Sequence, residues 1–259
     1  RRKVFNDCKI ICNGIIVLNY FMKKIIFAVL FFSPLILRAQ YYLIAGTYTS
    51  GKSEGIYVYS FNTETAENHF VSSAKTSNPS FVAISPNEKY IYAGNENADS
   101  LHNGGTVTAF SFNKTSGTLK MINSQRSGGN HPCYTELDKT GQWLFAGNYS
   151  SGTVGLLHVN TDGSLDSLSQ LIKHSGSGPN LQRQQSAHVH ATVISADNRY
   201  LFVPDLGMDK LVSYKFRNGR LGKCAEAVSL PGSGPRHLAF SPGQKFVYLM
   251  EEMSGMVVC

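Results

Sequence analysis

The sequence predicts an all-β protein of the β-propeller class. Three observations predict it: a phrase that returns four times, the spacing of its copies, and strand-only segments between them. The phrase reads Ser-Pro-Asn-Glu-Lys-Tyr-Ile-Tyr-Ala-Gly-Asn-Glu at 85–96. It returns as Asp-Lys-Thr-Gly-Gln-Trp-Leu-Phe-Ala-Gly-Asn-Tyr at 138–149 and as Ser-Ala-Asp-Asn-Arg-Tyr-Leu-Phe-Val-Pro-Asp-Leu at 195–206. The fourth copy is Ser-Pro-Gly-Gln-Lys-Phe-Val-Tyr-Leu-Met-Glu-Glu at 241–252. Each copy is a turn, an aromatic–apolar–aromatic strand and a closing polar residue. The copies start 53, 57 and 46 residues apart. A period near 40–50 residues built only of strands marks a propeller, one blade per period. No segment of 12 or more residues keeps apolar side chains at helical spacing. In a propeller, groups from different blades converge on the central channel, so candidate chemistry is sought at equivalent points of the repeat.

Taken in order, residues 1–21 show no domain pattern and are expected to be leader outside the fold. Residues 22–39 read as a signal peptide. Met22-Lys23-Lys24 is a charged start, 25–37 is an apolar stretch of 13 residues, and Arg38-Ala39-Gln40 is a small-residue exit. Thirteen residues fall short of the roughly 20 that span a bilayer. The propeller domain is expected over 40–259. Its strands are short, rich in Val, Ile, Tyr and Phe, and bounded by Gly, Asn, Ser and Asp, as at 42–46, 55–61, 106–112, 153–159 and 210–216. Five blade units follow, at about 41–75, 81–122, 133–172, 190–230 and 237–259. Four are expected to be full sheets. The fifth is expected to stop after its second strand, leaving a C-terminally incomplete ring that would continue for about another hundred residues. Short turns such as 113–117 are expected to join blades.

Charge and cysteine content exclude several classes. The whole chain has 24 Lys and Arg against 17 Asp and Glu, a net charge of +7. Residues 1–39 hold seven of the basic residues and one Asp, which leaves 17 basic and 16 acidic residues, a net of +1, in the rest. The basicity belongs to the leader, so no nucleic-acid partner is expected. Beyond the leader only Cys133, Cys224 and Cys259 remain, with no zinc spacing and no disulfide framework. At most one bridge could form.

One connection stands apart. Residues 174–187 form a long polar loop that carries Arg183 and leads into His188-Val189-His190. A loop longer than about 12 residues in a compact domain is usually functional or disordered. Two histidines two apart face the same side if the segment is a strand. One reading of them is a metal site with Asp205 as third ligand. The other makes His188 a hydrogen-bonded strut under the loop and His190 a general base, since a neutral imidazole can take a proton from water. Arg236, between Pro235 and His237 at the start of a strand, offers forked donors for a carboxylate, a phosphate or a developing oxyanion. Its structural alternative is a salt bridge, with Asp205 or Asp209 as partner, and Arg183 has the same two readings. Asp205 fills the repeat position of Asn95, Asn148 and Glu251, where a polar residue often caps a turn. Glu96 and Glu252 take the next position, and either is a rival base to His190. Glycine runs at 128–129 and 176–178 are no phosphate loop, because no helix follows them.

These residues carry a family resemblance. Gly46-Thr47-Tyr48-Thr49, Ser53-Glu54-Gly55-Ile56-Tyr57, Asn78-Pro79-Ser80-Phe81, Asn95-Glu96, His131-Pro132-Cys133 and Gly147-Asn148-Tyr149 open it. Arg183-Gln184, His188-x-His190, Asp205-Leu206-Gly207-x-Asp209 and Gly232-Ser233-Gly234-Pro235-Arg236-His237 continue it in order. Over 41–258 the chain resembles the seven-bladed propeller lactonases, the 6-phosphogluconolactonase and carboxymuconate cyclase type. It departs from them in lacking the closing blades and in having Glu251-Glu252 where the family usually has Asn-Glu. The resemblance implies a hydrolase that opens a sugar-type lactone, with 6-phosphoglucono-1,5-lactone as the family substrate. His190 and Arg236 are the expected catalytic pair. Contact with the substrate, or support of the groups that make it, is expected of Arg183, His188, Asp205, Asp209, His237, Glu96 and Glu252. No metal and no cofactor are assigned. The expected partner is a small lactone, anionic or polyhydroxylated. The protein is expected to be an exported, periplasmic or secreted monomer, free of the membrane once the signal is cleaved. An exported member would meet unphosphorylated lactones, since phosphorylated sugars are cytosolic. Two other functions fit the same residues: a binding propeller without chemistry, and a lactone-forming cyclase.

Overall fold

The repeated phrase folds the same way each time, and its first residue explains why. Ser85, Asp138, Ser195 and Ser241 accept, through their carbonyls, the N–H of the fourth turn residue at 2.8–2.9 Å. Through the side chain each also accepts the N–H of the aromatic that opens the strand: Tyr90, Trp143, Tyr200 and Phe246. The fourth turn residue lies in the left-handed region in every copy, with φ of 57° at Glu88, 73° at Gly141, 60° at Asn198 and 55° at Gln244. Only Gly141 and Asn198 adopt that conformation at little cost.

The computed structural model describes residues 41–98 and 104–259. The expected leader and signal segments lie outside the described residues. Five antiparallel sheets follow one another along the chain, each laid down strand by strand. The first holds β1 (Tyr41–Gly46), β2 (Gly55–Phe61) and β3 (Asn68–Lys75). The second holds β4 (Pro79–Ile84), β5 (Tyr90–Asn95), β6 (Thr106–Asn113) and β7 (Thr118–Arg126). The third holds β8 (Pro132–Leu137), β9 (Trp143–Asn148), β10 (Thr153–Val159) and β11 (Leu165–Lys173). The fourth holds β12 (Val193–Ile194), β13 (Tyr200–Asp205), β14 (Lys210–Arg217) and β15 (Arg220–Val228). The fifth holds β16 (Pro235–Phe240), β17 (Val247–Glu251) and β18 (Met256–Val258). This is the predicted propeller architecture, an open run of blades.

Three expectations need correction. The sheets are three of four strands and two of three, not four full sheets and one partial. The fifth does not stop after its second strand, because the Glu251–Ser254 turn closes a hairpin onto β18. The 113–117 turn joins β6 to β7 inside one blade, and its Gly117 N–H closes on the Asn113 carbonyl at 2.7 Å. The first sheet is short on its inner side. β1 packs against β4 as β5 packs against β8 and β13 against β16, so β1 holds the place of a second strand. Ile44-Ala45-Gly46-Thr47-Tyr48 is therefore a fifth copy of the phrase, without its turn.

The core lies between neighbouring sheets. Ile56, Ala93 and Phe110 fill the first gap. Tyr92, Val107, Leu144 and Leu157 fill the second, and Phe145, Leu156, Val189, Leu201, Val203 and Val212 fill the third. Burying each large side chain is worth about 1.5–3 kcal/mol. This fixes how the blades are spaced about the axis and hence where their inner ends meet.

Candidate active site at the inner ends of the blades

Two repeat positions build the site. The first is a bulge at the start of each inner strand. Pro79 pairs with Asn95 and Phe81 with Gly94, so Ser80 is an extra residue. In the same way Cys133 is extra between Pro132 and Tyr134, and Arg236 between Pro235 and His237. In the fourth blade Val189 bridges Asp205 alone, and His190 follows at the equivalent point with its N–H on the Pro204 carbonyl at 3.1 Å. A bulged residue leaves the ladder and its side chain is re-aimed. Here Ser80, Cys133, His190 and Arg236 all turn into one cavity of about 410 Å³.

The second position follows the second strand of each blade. Glu96, Tyr149, Leu206 and Glu252 donate their N–H to the carbonyls of Asn78, His131, His188 and Gly234, at 2.8–2.9 Å. Tyr48 is the first-blade equivalent. Tyr48, Glu96, Tyr149 and Glu252 line the cavity. Leu206 is fully buried elsewhere, and in that sector Arg183 from the long loop lines the wall instead.

Charges and rings meet closely here. Arg236 Nε–H donates to His190 Nε2 at 3.0 Å and lies 3.3 Å from Glu252 Oε2. Arg183 donates to Glu252 Oε1 at 2.5 Å and to the Tyr149 hydroxyl at 3.5 Å. Tyr48 donates to Glu96 Oε2 at 2.6 Å. Since Nε2 of His190 accepts, its ring is neutral with the proton on Nδ1. Burial first, and then the charges of Arg236 and His237, hold His190 down to about 4. Burial and Arg236 also lower His237. Burial pushes Glu252 up, but the Arg183 hydrogen bond and the charges of Arg183 and Arg236 outweigh it and keep the carboxylate below its usual range. Burial, reinforced by Glu96, raises the Cys133 thiol to about 12, so it is not a nucleophile near neutrality. The Glu96 hydrogen bond raises Tyr48 to about 12. One side of the cavity is aromatic: Phe81 stacks on Tyr134 at 4.1 Å, which meets His237 at 5.6 Å, which meets His190 at 5.3 Å.

Of the residues singled out from sequence, His190, Arg236, Arg183, His237, Glu96 and Glu252 come together in this cavity. His188, Asp205 and Asp209 do not line it. The 188–190 segment is an isolated bridge rather than a strand. His188 is buried, its ring stacked on Tyr149 at 4.4 Å and its Nδ1 3.0 Å from the Tyr149 carbonyl. Asp205 turns to His174 Nδ1 at 2.7 Å and to the N–H groups of His188 and Met208, so it does not join the two histidine rings as a ligand set. Neither Asp205 nor Asp209 pairs with the arginines. Both arginines find Glu252, because the bulge and the loop aim them at the cavity rather than back into the blade.

Sequence reasoning gave no role to Ser80, Cys133, Tyr48 or Tyr149. The signal was present in the phase of the repeat: once His190 and Arg236 are chosen, Ser80 and Cys133 sit at the same phase. Once Glu96 and Glu252 are chosen, Tyr48 and Tyr149 do.

Comparison with known proteins agrees with the propeller fold. Residues 42–259 match the family model described as lactonase, 7-bladed beta-propeller. A 6-phosphogluconolactonase of Bacillus subtilis is 38% identical over 220 residues, covering 85% of this chain and 62% of the relative. A 6-phosphogluconolactonase of Formosa agariphila is 35% identical over 223 residues, 83% of this chain and 62% of the relative. Among solved structures, the periplasmic gluconolactonase of Pseudomonas aeruginosa superposes with a TM-score of 0.77 at 38% identity, over 84% of this chain and 63% of that one. The chain thus spans about 62% of the length of the curated relatives it matches. It belongs to the seven-bladed β-propeller lactonase family.

Proposed function

We propose that this member of the propeller lactonase family hydrolyses a sugar-type lactone in the cavity that holds His190 and Arg236. One observation carries the reading: a neutral imidazole is held at 3.0 Å by a guanidinium in a polar cavity with a second arginine and two carboxylates. Lactone opening needs a base for water and a donor for the carbonyl oxygen as it becomes an oxyanion. His190 Nε2 takes the water proton as the hydroxyl oxygen bonds to the carbonyl carbon. Arg236 donates to the oxygen that gains charge. The ring carbon–oxygen bond then breaks, and the imidazolium returns its proton to the departing ring oxygen, giving the hydroxy acid.

In the resting arrangement Nε2 is occupied by Arg236, whose charge also lowers its basicity. When the guanidinium turns to a substrate oxygen, the lone pair is freed and that depression eases. Glu252, 3.9 Å from Nε2, is placed to stabilise the imidazolium. Tyr48, Glu96 and Ser80 line the same cavity and suit the hydroxyls of a sugar ring. The chemistry needs no metal or cofactor as written.

The test is turnover of D-glucono-1,5-lactone and its 6-phosphate by the whole protein. His190→Ala and Arg236→Ala are each expected to lower the rate by about 10²–10³ with folding retained. A variant with near-normal turnover removes that residue from the mechanism and makes Glu96 or Glu252 the leading base. Loss of activity on adding a chelator would overturn the metal-free scheme. The reading extends to location: the charged start and apolar stretch at 22–39 support export, and a relative is named as periplasmic. N-terminal sequencing of the exported product should begin at Tyr41 or within a few residues of it.

A further inference from the structure

The long polar loop and the bulge of β16 deliver Arg183 and Arg236 to one carboxylate, Glu252. A second, hidden carboxylate joins the roots of those two segments. Asp209 follows the 3-10 turn Leu206–Met208, is 4% exposed, and does not line the cavity. Its Oδ1 accepts from Gln184 Nε2 at 2.6 Å and from the Gly234 N–H at 2.9 Å. Its Oδ2 accepts from the Gly232 N–H at 2.7 Å.

Each donor leads to the site. Gln184 is fully buried and is the chain neighbour of Arg183. Its other contacts, to the Leu206 carbonyl and from the Asn180 N–H, lock the loop at that point. Gly234 precedes Pro235 and the bulged Arg236, and its carbonyl takes the Glu252 N–H at 2.8 Å. A Cβ at Gly234, where φ is 69°, would meet Met253 Cγ at 2.9 Å, so this left-handed, closely packed point suits glycine. Three N–H groups on one buried carboxylate thus tie the segments of Arg183, Arg236 and Glu252 to a common point.

We propose that Asp209 is the positioning residue for the Arg183–Glu252–Arg236 cluster, setting the separation of the two guanidinium groups. Asparagine tests this cleanly. It tolerates the left-handed backbone at 209, where φ is 52°. It offers only one acceptor oxygen, and its amide N–H groups would face a backbone N–H. The bulged residue would then lose its fixed root while the propeller core stays intact.

The kinetic part of the test rests on the lactonase reading, and the spectroscopic part does not. The Arg236 Nε–H resonance of the ¹⁵N-labelled protein is assigned with Arg236→Lys and compared in Asp209→Asn and Gln184→Met. In Asp209→Asn it should shift and exchange with water about tenfold faster, the scale of one lost hydrogen bond to a charged group. The Trp143 indole, on the third sheet, should not move. In Gln184→Met the Arg183 Nε–H should move and the Arg236 resonance should stay, and this variant alone decides the matter if Asp209→Asn does not fold. An unmoved Arg236 resonance in folded Asp209→Asn, or an equal change at Trp143, overturns the proposal. For turnover, both variants should raise KM for the lactone. A wild-type protein with no lactone turnover would remove the functional reading and leave the positioning result standing.

Discussion

Arg236→Ala should raise the pKa of His190, and the size of the rise follows from the site. In the wild type the imidazole is held near 4 against an ordinary 6.5, a difference of about 3 kcal/mol. Burial is the first cause and survives the substitution. The guanidinium is the removable part. Two like charges about 4 Å apart interact by about 4 kcal/mol at an effective dielectric near 20. Arg236 is 41% exposed and also faces Glu252, so solvent and the carboxylate screen most of that, leaving about 1 kcal/mol. The expected rise is therefore about one unit, to near 5, and not a return to 6.5. Groups facing the ring include Cys133, Tyr149, His237, Arg236 and Glu252. Of these only Glu252 favours the charged form, and it gains influence when its arginine partner is gone.

The assay is an NMR titration of the His190 ring Cε1–H, assigned with His190→Gln, in wild type and Arg236→Ala. The linked effect on stability has a definite sign. A depressed histidine pKa means the folded state binds the proton less well than the unfolded state. Stability is therefore lost as pH falls from 6.5 towards 4, and Arg236→Ala should lessen that loss. A His190 pKa that stays near 4, or falls, in a folded Arg236→Ala protein refutes the capped-base arrangement.

Two further outcomes are expected. Glu136 is raised from 4.5 to about 7 by burial, against the opposing pull of Lys139 and the Ile194 N–H. The folded state holds its proton more tightly, so this group's contribution is fully present below 4.5 and lost as pH rises through 7. Glu136→Gln should stabilise the protein by about 1–3 kcal/mol at pH 8 and by nothing at pH 4, read by urea unfolding at both pH values. Gln244 is exposed with φ of 55°. Gln244→Gly should gain about 0.5–1 kcal/mol in thermal unfolding, because relief of the left-handed strain exceeds the added chain entropy. A loss of stability there would show that the turn is not strained.

The sequence by itself determined the repeat, and through it the fold. A Ser or Asp that caps its own turn, followed by alternating aromatic and apolar residues, is a local instruction, and it reads the same wherever it falls. That is why strands such as Gly55–Phe61 and Thr153–Val159 lie where their composition puts them. The repeat also marked Glu96 and Glu252 as equivalent, and the long loop marked Arg183 and His190. The tertiary structure decided where these side chains point. A bulge is one extra residue in a ladder, defined only by the partner strand, so the shared phase of Ser80, Cys133, His190 and Arg236 in the repeat does not by itself say that these side chains turn into one cavity. The choice of ion-pair partner was equally out of reach. Asp205 and Asp209 both lie nearer Arg183 in sequence than Glu252 does, yet Arg183, like Arg236, reaches Glu252. Asp205 and Asp209 are consumed by backbone N–H groups that only the folded loops bring to them. Local chemistry wrote the blades, and the meeting of blades through non-local contacts wrote the site.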